Sequence, residues 1–559
     1  MSATEKKSHP FFAEDFSTTL INIVMAVIII QIAVITYWFT LADDSNGDAG
    51  RDAQIFAMQG IGKRTIGTLR AGYDQTGAYN TWVELNTLAR VAEEQDDAEG
   101  AARLIAARDR VAKLSPALQA PYFDPNQDAA PNLAAYEADN FVRDSSALQE
   151  RFENMYRVKK QFGDMASAYT VQLTLLAVAL FVFGVAASSK RRVRILFVVI
   201  GTGLALFVLG WMLMTYYTPV KSIPDEAIDA YAAASAALYA GDNPKALTEY
   251  DRALKLAPEY ANAYRDRSYA KYLTGDNAGS AQDLEAARAN GDTSSDTESS
   301  LGYTYYLLGN FARANELNQN AAARAPNDLW VRFNYAVSLL ASGQTERAQQ
   351  EYDKALQDTT QRVAAARAKK QEPSAGLWSE FDGGVNDLEA LAACATTQAC
   401  ESAPPANTLQ NTTELAKLAE KYANLLKEYA VALEYTNQPP PASTDAQVDE
   451  FIFTREFSDD AEPINASETF TATDEPIYML VPFTNFRDGQ KIVVKIYVDG
   501  VEDERLRFVQ DYSAADMGGA DGDIFLEITT GGVPLSPGAY HAELYVDSKL
   551  VGAGDFSVE

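Results

Sequence analysis

Apolar and polar positions along this chain fall into four patterns, and each predicts a different kind of element. Three uninterrupted apolar runs occupy 20–41, about 169–187 and about 195–216. The first holds 22 residues without a charge, enough for a helix to cross a bilayer. Between the first two runs, apolar and alanine positions recur with helical spacing in Ala53–Leu69, Trp82–Ala92, Ala101–Leu114 and Leu133–Phe162. Breaks fall at Gly72, near Asp96–Gly100 and at Pro121–Pro125, so a helical bundle is expected over 42–168. In 227–356, small and large residues recur with a period of 34. Beyond Pro439–Pro441 the pattern alternates, predicting strands at Glu450–Glu456, Ile477–Pro482, Lys491–Val498, Leu506–Gln510, Asp523–Ile528, Tyr540–Val546 and Gly554–Val558.

Charge orients the apolar runs. The loop 188–194 carries Lys190, Arg191, Arg192 and Arg194, and so many basic residues in a short loop keep it in the cytoplasm. Lys6 and Lys7 put the N-terminus, 1–19, on the same side. Residues 42–168 and everything after about 217 are then expected outside. Arg157, Lys159 and Lys160 pull the other way, but long translocated loops obey the charge rule weakly. Tyr37-Trp38-Phe39, Trp211 and Tyr216-Tyr217 would anchor the outer interface. Asn22 and Gln31 offer hydrogen bonds between spans, and Gly201, Gly203 and Gly210 offer close packing. No span carries an ionisable side chain between its ends, which argues against a transporter.

The period of 34 is set by Gly241, Gly275, Gly309 and Gly343. Taking each glycine as position 15, units begin at Ala227, Ala261, Ser295 and Leu329. Position 8 holds Ala234, Ser268, Gly302 and Ala336; position 20 holds Ala246, Ser280, Ala314 and Ala348; position 27 holds Ala253, Ala287, Ala321 and Ala355. Tyr250, Leu284 and Tyr352 fill position 24, and Pro258 and Pro326 stop the second helix. This pattern resembles the tetratricopeptide repeat family over 227–356, a helix–turn–helix solenoid. It departs at Asp292, where a proline is usual, and at Asn318 in position 24. The resemblance implies a concave groove lined by the first helix of each unit, here including Tyr231, Tyr239, Arg265, Tyr269, Tyr272, Tyr303, Tyr306, Phe333 and Val337. Tyrosines give large contact area with few rotatable bonds, so such a groove suits an extended peptide or a partner helix. Each ring can equally pack between neighbouring helices. Position 9 lacks the asparagines with which chaperone-binding members clamp a terminal carboxylate.

Composition narrows the chemistry. A net charge of −30 argues against nucleic acid, whose phosphates would be repelled. His9 and His541 are the only histidines and Cys394 and Cys400 the only cysteines, so no histidine-based metal site or catalytic triad can be assembled. Neither an enzyme nor a cofactor is expected. In an extracytoplasmic domain Cys394 and Cys400 can pair to close a small loop, or stay as two thiols. Asp44–Asp48 has the opening spacing of a calcium loop but lacks its later glycine and glutamate, and reads as a flexible linker. Asp521-Gly522-Asp523 reads as a turn.

After the repeats, 357–436 reads as a helical cap. It contains a short helix at Leu388–Ala393 and an amphipathic helix begun by Asn411 and Glu414. A proline-rich linker, 437–445, leads to 446–559, whose strand content suggests a β-sandwich. Its stretch Pro537–Asp547 resembles the last hairpin of immunoglobulin-like modules on bacterial surface proteins, and His541 is expected as an exposed strand residue. The whole reads as a multidomain membrane protein: three transmembrane helices, an extracytoplasmic helical bundle, an α–α solenoid and a C-terminal all-β sandwich. The repeat resemblance implies a scaffold with protein partners in the groove; the apolar runs add a lipid bilayer around the spans, and the sandwich is expected to contact a second partner or an envelope component. A sensory bundle that binds a ligand is the alternative.

Overall fold

The computed structural model describes residues 14–125, 130–436, 438–458, 462–472, 476–517, 519–529 and 535–559. Lys6, Lys7, His9 and Asn437 lie outside the described residues. The chain divides after Gly275 into two compact units.

In the first unit, α1 (Glu14–Gly72) carries the first apolar run and continues for 59 residues in all. It then passes through a π-helical turn, Tyr73–Tyr79, into α2 (Asn80–Glu94). Gly72 is therefore no break; its φ of −58° and ψ of −42° are helical. α3 (Ala98–Leu114) returns against α2, with Asp97 capping its first turn. α4 (Leu133–Glu137), a second π turn (Ala138–Val142) and α5 (Arg143–Ser188) again form one unbroken helix. α6 (Arg191–Tyr217) follows.

The expected four-helix bundle over 42–168 is thus replaced by two long helices that leave the apolar region together, with the α2–α3 hairpin at the far end. The cause is a seam that ignores the end of the apolar run. Ile21, Ile28, Ile35, Ala42 and Ala49 stand seven apart on α1 and are all buried, as are Tyr169, Leu176 and Phe183 on α5. A repeat of seven keeps two helices in contact along their length. The pairing is antiparallel: Gly50 lies against Lys159, Gly60 against Leu148 and Gly67 against Phe141. Asp44–Asp48, expected as a flexible linker, sits inside α1, where Asp48 pairs with Arg51 and Asn46 Nδ2 donates to the Lys159 carbonyl at 3.2 Å.

Among the described residues, three helices are long and apolar enough to cross a membrane. Of the three glycines expected at contacts, Gly201 meets the Phe183 ring, and a Cβ there would lie 2.7 Å away. A Cβ at Gly203 or Gly210 would meet nothing within 4 Å among the described residues. Asn22 faces outward, Gln31 is buried with its Oε1 unpartnered among the described residues, and an interhelical hydrogen bond runs instead from Gln172 Nε2 to Thr215 Oγ1 at 3.1 Å. After α6 the strap 218–224 returns along α5, and α7 (Asp225–Tyr239), α8 (Asn243–Leu256) and α9 (Ala261–Leu273) complete this unit.

The second unit continues the repeat with α10 (Asn277–Ala289), α11 (Ser295–Leu307), α12 (Phe311–Arg324), α13 (Leu329–Ala341) and α14 (Thr345–Ala368). All four spaced glycines adopt φ between +73° and +81°, the left-handed turn that closes a helix and that residues with a Cβ resist. Asp242, Asp276 and Asn310 cap the helices that follow. The small residues of positions 20 and 27 are buried in every unit. Asn318 is also buried, and fits because Gly302 opposite has no Cβ: one there would collide with its amide. Asp292 replaces proline by hydrogen bonding, accepting from Ser294 N at 3.0 Å, Ser294 Oγ and Thr297 Oγ1.

α15 (Ala375–Thr397) and α16 (Thr412–Tyr435) pack against each other. The short helix expected at Leu388–Ala393 is a 23-residue one. Asn411 caps differently from expectation: it is left-handed, with φ 49°, and makes no side-chain cap bond.

The C-terminal β region has two main sheets. In one, β6 (Ile477–Thr484) pairs with β1 (Gln447–Val448), β2 (Ile452–Thr454) and β10 (Gly522–Ile528). In the other the order is β5 (Thr469–Phe470), β12 (Lys549–Val558), β11 (Gly538–Val546), β7 (Lys491–Val498), β8 (Val501–Glu502), with β9 (Phe508–Asp511) also on β7. A short pair, β3 (Glu456–Phe457) and β4 (Pro463–Ile464), stands apart. Both main sheets contribute to one core, with Met479, Val481 and Ile524 from the first and Val494, Leu544 and Phe556 from the second. The region docks on α16 through charges: Lys427 Nζ reaches Glu389 at 2.7 Å and Glu543 at 2.6 Å, Lys549 reaches Glu428 at 2.7 Å, and Arg507 reaches Glu434 at 2.7 Å. His541, expected on an exposed face, is half-buried between Asp555 (2.6 Å) and Glu543 (3.4 Å).

Candidate functional site: the inner face of the repeats

In the first unit, α5 lies against the repeat helices. Asn154 of α5 is buried and bonds both backbone groups of Ile223, donating to its carbonyl at 3.1 Å and accepting from its amide at 2.8 Å. One heptad on, Gln161 does the same at Lys221, both at 2.8 Å. Arg151 pairs with Asp229 at 2.7 Å and Asp225 at 3.4 Å. Glu150 accepts from Tyr260 Oη at 2.7 Å and from Asn262 Nδ2 at 2.9 Å. Burial, followed by the nearby Glu153 carboxylate, pushes Glu150 up to about 7 against those hydrogen bonds. A cavity of about 460 Å³ lies between α1, α5 and α7, with Arg64, Phe141, Glu150, Tyr231 and Tyr239 on its walls.

Tyr231 is buried, with Tyr250 and Tyr260 beside its ring and its hydroxyl on Asp266. Tyr239 keeps half its surface exposed, but its hydroxyl donates to Glu137, which raises its ionisation to about 12. Arg265 is half-buried and donates from Nε to Asp266 at 2.8 Å. Tyr269 is 53% exposed and stacks on Tyr272, ring centres 6.1 Å apart.

In the second unit α15 occupies the corresponding face. Tyr303 donates to Asp387 of α15 at 2.6 Å. Phe333 meets Phe381 of α15 edge-on, centres 5.8 Å apart, and Gly384 admits it: a Cβ there would stand 2.6 Å from the Phe333 ring. Asp387 is pushed up to about 7 by burial, the Tyr303 hydrogen bond opposing. Tyr306 and Val337 are buried as well, Tyr306 beside Tyr303 at 5.5 Å.

Of the two roles open to each expected groove residue, packing between helices is the one the buried members take. Tyr231, Tyr306, Phe333 and Val337 are interior, and Tyr303 is committed to Asp387, because α5 in one unit and α15 in the other fill the face that the first helices present. Of the nine expected residues, Tyr239 and Tyr269 carry the most surface. Asn154, Gln161, Phe381, Gly384 and Asp387 were not foreseen. The amides seven apart on a charged helix, and a glycine pair, Gly383-Gly384, inside an otherwise helical stretch, were the available signals. Cys394 and Cys400 form a disulfide at the end of α15, with Cα atoms 4.6 Å apart. Among the described residues no group of three or more His, Cys, Asp or Glu is placed to hold a metal ion.

The tetratricopeptide repeat model matches residues 305–370. Among solved structures the chain is similar to YrrB, a TPR protein with an unusual peptide-binding site, at 18% identity and a TM-score of 0.24, covering 37% of this chain and 91% of that one. A tetratricopeptide repeat protein from Parabacteroides merdae matches at 15% identity and a TM-score of 0.24, over 61% of this chain and 99% of that one. The alkylpurine DNA glycosylase AlkC from Pseudomonas fluorescens, solved bound to DNA containing an abasic site analog, matches at 13% identity and a TM-score of 0.23, over 73% and 98%. No curated protein matches the chain. With the family match on α11–α14 and a left-handed glycine closing the first helix of each unit, this chain carries tetratricopeptide repeats.

Proposed function

We propose that this protein is a membrane-anchored, extracytoplasmic scaffold that binds other proteins through its repeats and works by binding, not chemistry. The observation that carries the reading is the exposed Tyr269 and its stacked neighbour Tyr272 on α9, an aromatic ledge on the repeat helix that follows α7 and α8, where α7 is already covered by α5. A ring pair of this kind supplies area at little entropic cost, as binding hot spots require. The three apolar helices and the basic loop 188–194 support the anchoring and its direction. The β region, read as an immunoglobulin-like sandwich, is the second contact module and offers a surface to envelope material.

The test places a photo-crosslinking residue at Tyr269 in the full-length chain in its own membrane, with Lys255, near the end of α8, as control. A discrete protein adduct at 269 and none at 255 supports the reading. No adduct at either position, or equal labelling at both, overturns it.

A sensory role is the second reading, favoured by α1 and α5 running unbroken from the apolar region to the walls of the cavity between α1, α5 and α7. A ligand there could shift the helices for a separate transducer to read. Co-purification of a kinase or transducer, lost when the basic loop is replaced, would favour it.

A further inference from the structure

The face of α1 turned away from the α5 seam is apolar beyond the membrane run, and among the described residues its large side chains stay exposed; its Gly62 and Ile66 edge borders a cleft whose far wall carries Asp144 and Arg151 of α5 and Asp229 of α7. Ile55, Met58, Gly62, Ile66, Leu69 and Tyr73 follow one another at steps of 3, 4, 4, 3 and 4 residues. At 3.6 residues per turn they fall within an arc of about 80° and extend over about 27 Å. Their exposure is high: Ile55 50%, Met58 74%, Ile66 63%, Leu69 70% and Tyr73 48%. A Cβ at Gly62 would meet nothing within 4 Å. The stripe starts after Asp43, Asp44, Asp48, Arg51 and Asp52, so it lies outside the span, where water would otherwise face it.

We infer that this stripe is the interface with a second copy of the same chain, paired in parallel and in register along α1. Three observations select that occupant. First, an in-register parallel pair sets each residue against itself, so any charge on the facing stripe would meet a like charge; from Ile55 to Tyr73 the stripe has none. The flanking cations are engaged within the chain, Lys63 by Asp144 at 2.7 Å and Arg70 by Asp74 at 3.0 Å. Second, Ile55, Gly62 and Leu69 repeat every seven residues, the spacing that keeps two helices together, with glycine at the middle position allowing close approach. Third, the exposed fractions amount to roughly 500 Å² of apolar surface per chain, so two copies bury about 1,000 Å², the threshold for a specific interface. The orientation rests on the membrane anchoring proposed above, which holds both copies the same way up and at the same depth.

Single cysteines in the full-length chain test this, since Cys394 and Cys400 are tied to each other. Met58→Cys and Leu69→Cys lie on the stripe; Arg64→Cys and Thr68→Cys lie on the other side of α1. On oxidation in native membranes, Met58→Cys and Leu69→Cys are expected to give disulfide-linked homodimers at least tenfold more efficiently than Arg64→Cys or Thr68→Cys. Separately, Ile66→Glu is expected to weaken dimerisation in detergent at least tenfold with helix content unchanged. The inference is overturned by equal linkage on both sides, by no linkage at 58 and 69, by linkage only between position 58 of one chain and position 69 of another (an antiparallel pair), or by an adduct to a different protein at 58. If topology labelling shows that the apolar helices are not in a membrane while the in-register links persist, the anchoring reading fails and the pairing stands.

Discussion

Asn154→Leu is the sharpest perturbation of the contact that fixes the first repeat to the long helices. Leucine keeps the branching of asparagine at Cγ and suits a helix interior, so α5 itself is preserved. What disappears is the pair of hydrogen bonds to Ile223, leaving a buried amide and a buried carbonyl without partners. Each such group costs roughly 1–3 kcal/mol, and with some water entry the pair costs about 3 kcal/mol. At 1.4 kcal/mol per tenfold, protection of the Ile223 amide from hydrogen exchange should fall about 150-fold. Gln161→Leu removes the equivalent bonds at Lys221, but those groups are exposed and rehydrate, so its effect should stay below about tenfold. Asn154→Asp keeps the acceptor for the Ile223 amide and should fall between the two. Exchange measured on the full-length protein in detergent decides. Ile223 protection unchanged in Asn154→Leu, or a Gln161→Leu effect of equal size, would refute the reasoning.

Asp387 is raised in the folded chain from its ordinary 3.8 to about 7, so between those values the folded state holds a proton that the unfolded chain has released. Stability of the second unit should therefore fall as pH rises from about 4 to 7. Asp387→Asn should flatten that slope and raise the melting temperature more at pH 8 than at pH 4, as thermal scans in detergent would show. Glu543 runs the other way. Although burial raises it, His541, Lys427 and Tyr545 together hold it down to about 2, so its contribution is present above its unfolded 4.5 and is lost as pH falls through 2. Lys427→Met removes the cation from that buried carboxylate, should cost about 3 kcal/mol, and should move the acid loss of the β region to higher pH. Earlier proteolytic release of residues 446–559 from Lys427→Met at pH 4, where the wild type resists, would report it, and a variant as resistant as the wild type at pH 4 would count against it.

Much of this architecture could be read before any coordinates. The spaced glycines announced the turns because only a left-handed φ needs glycine at that place in every unit. The helices of the last three units start where the repeat arithmetic put them, at Ala261, Ser295 and Leu329. The inner face resisted reading for a physical reason. Whether a ring such as Phe333 lines a groove or is buried depends on what fills the groove, and the filler, α15, carries Gly383-Gly384, which lowers its helical propensity. Gly384 is there for packing against Phe333, a fact about a distant residue. The long helices were hidden differently. The heptad Ile21, Ile28, Ile35, Ala42, Ala49 crosses from an apolar run into a charged one, and the change of composition at Asp43 masks the continuity of the buried face.

The central claim is a scaffold displayed outside the cytoplasm, and thiol labelling of intact cells tests it most directly, any outer membrane first made permeable. Ser188→Cys marks the basic loop and Lys354→Cys an exposed position on α14. The account predicts that a membrane-impermeant maleimide labels Lys354→Cys at once and Ser188→Cys only after the cells are opened. Labelling of Ser188→Cys with protection of Lys354→Cys would invert the topology and contradict the extracytoplasmic scaffold.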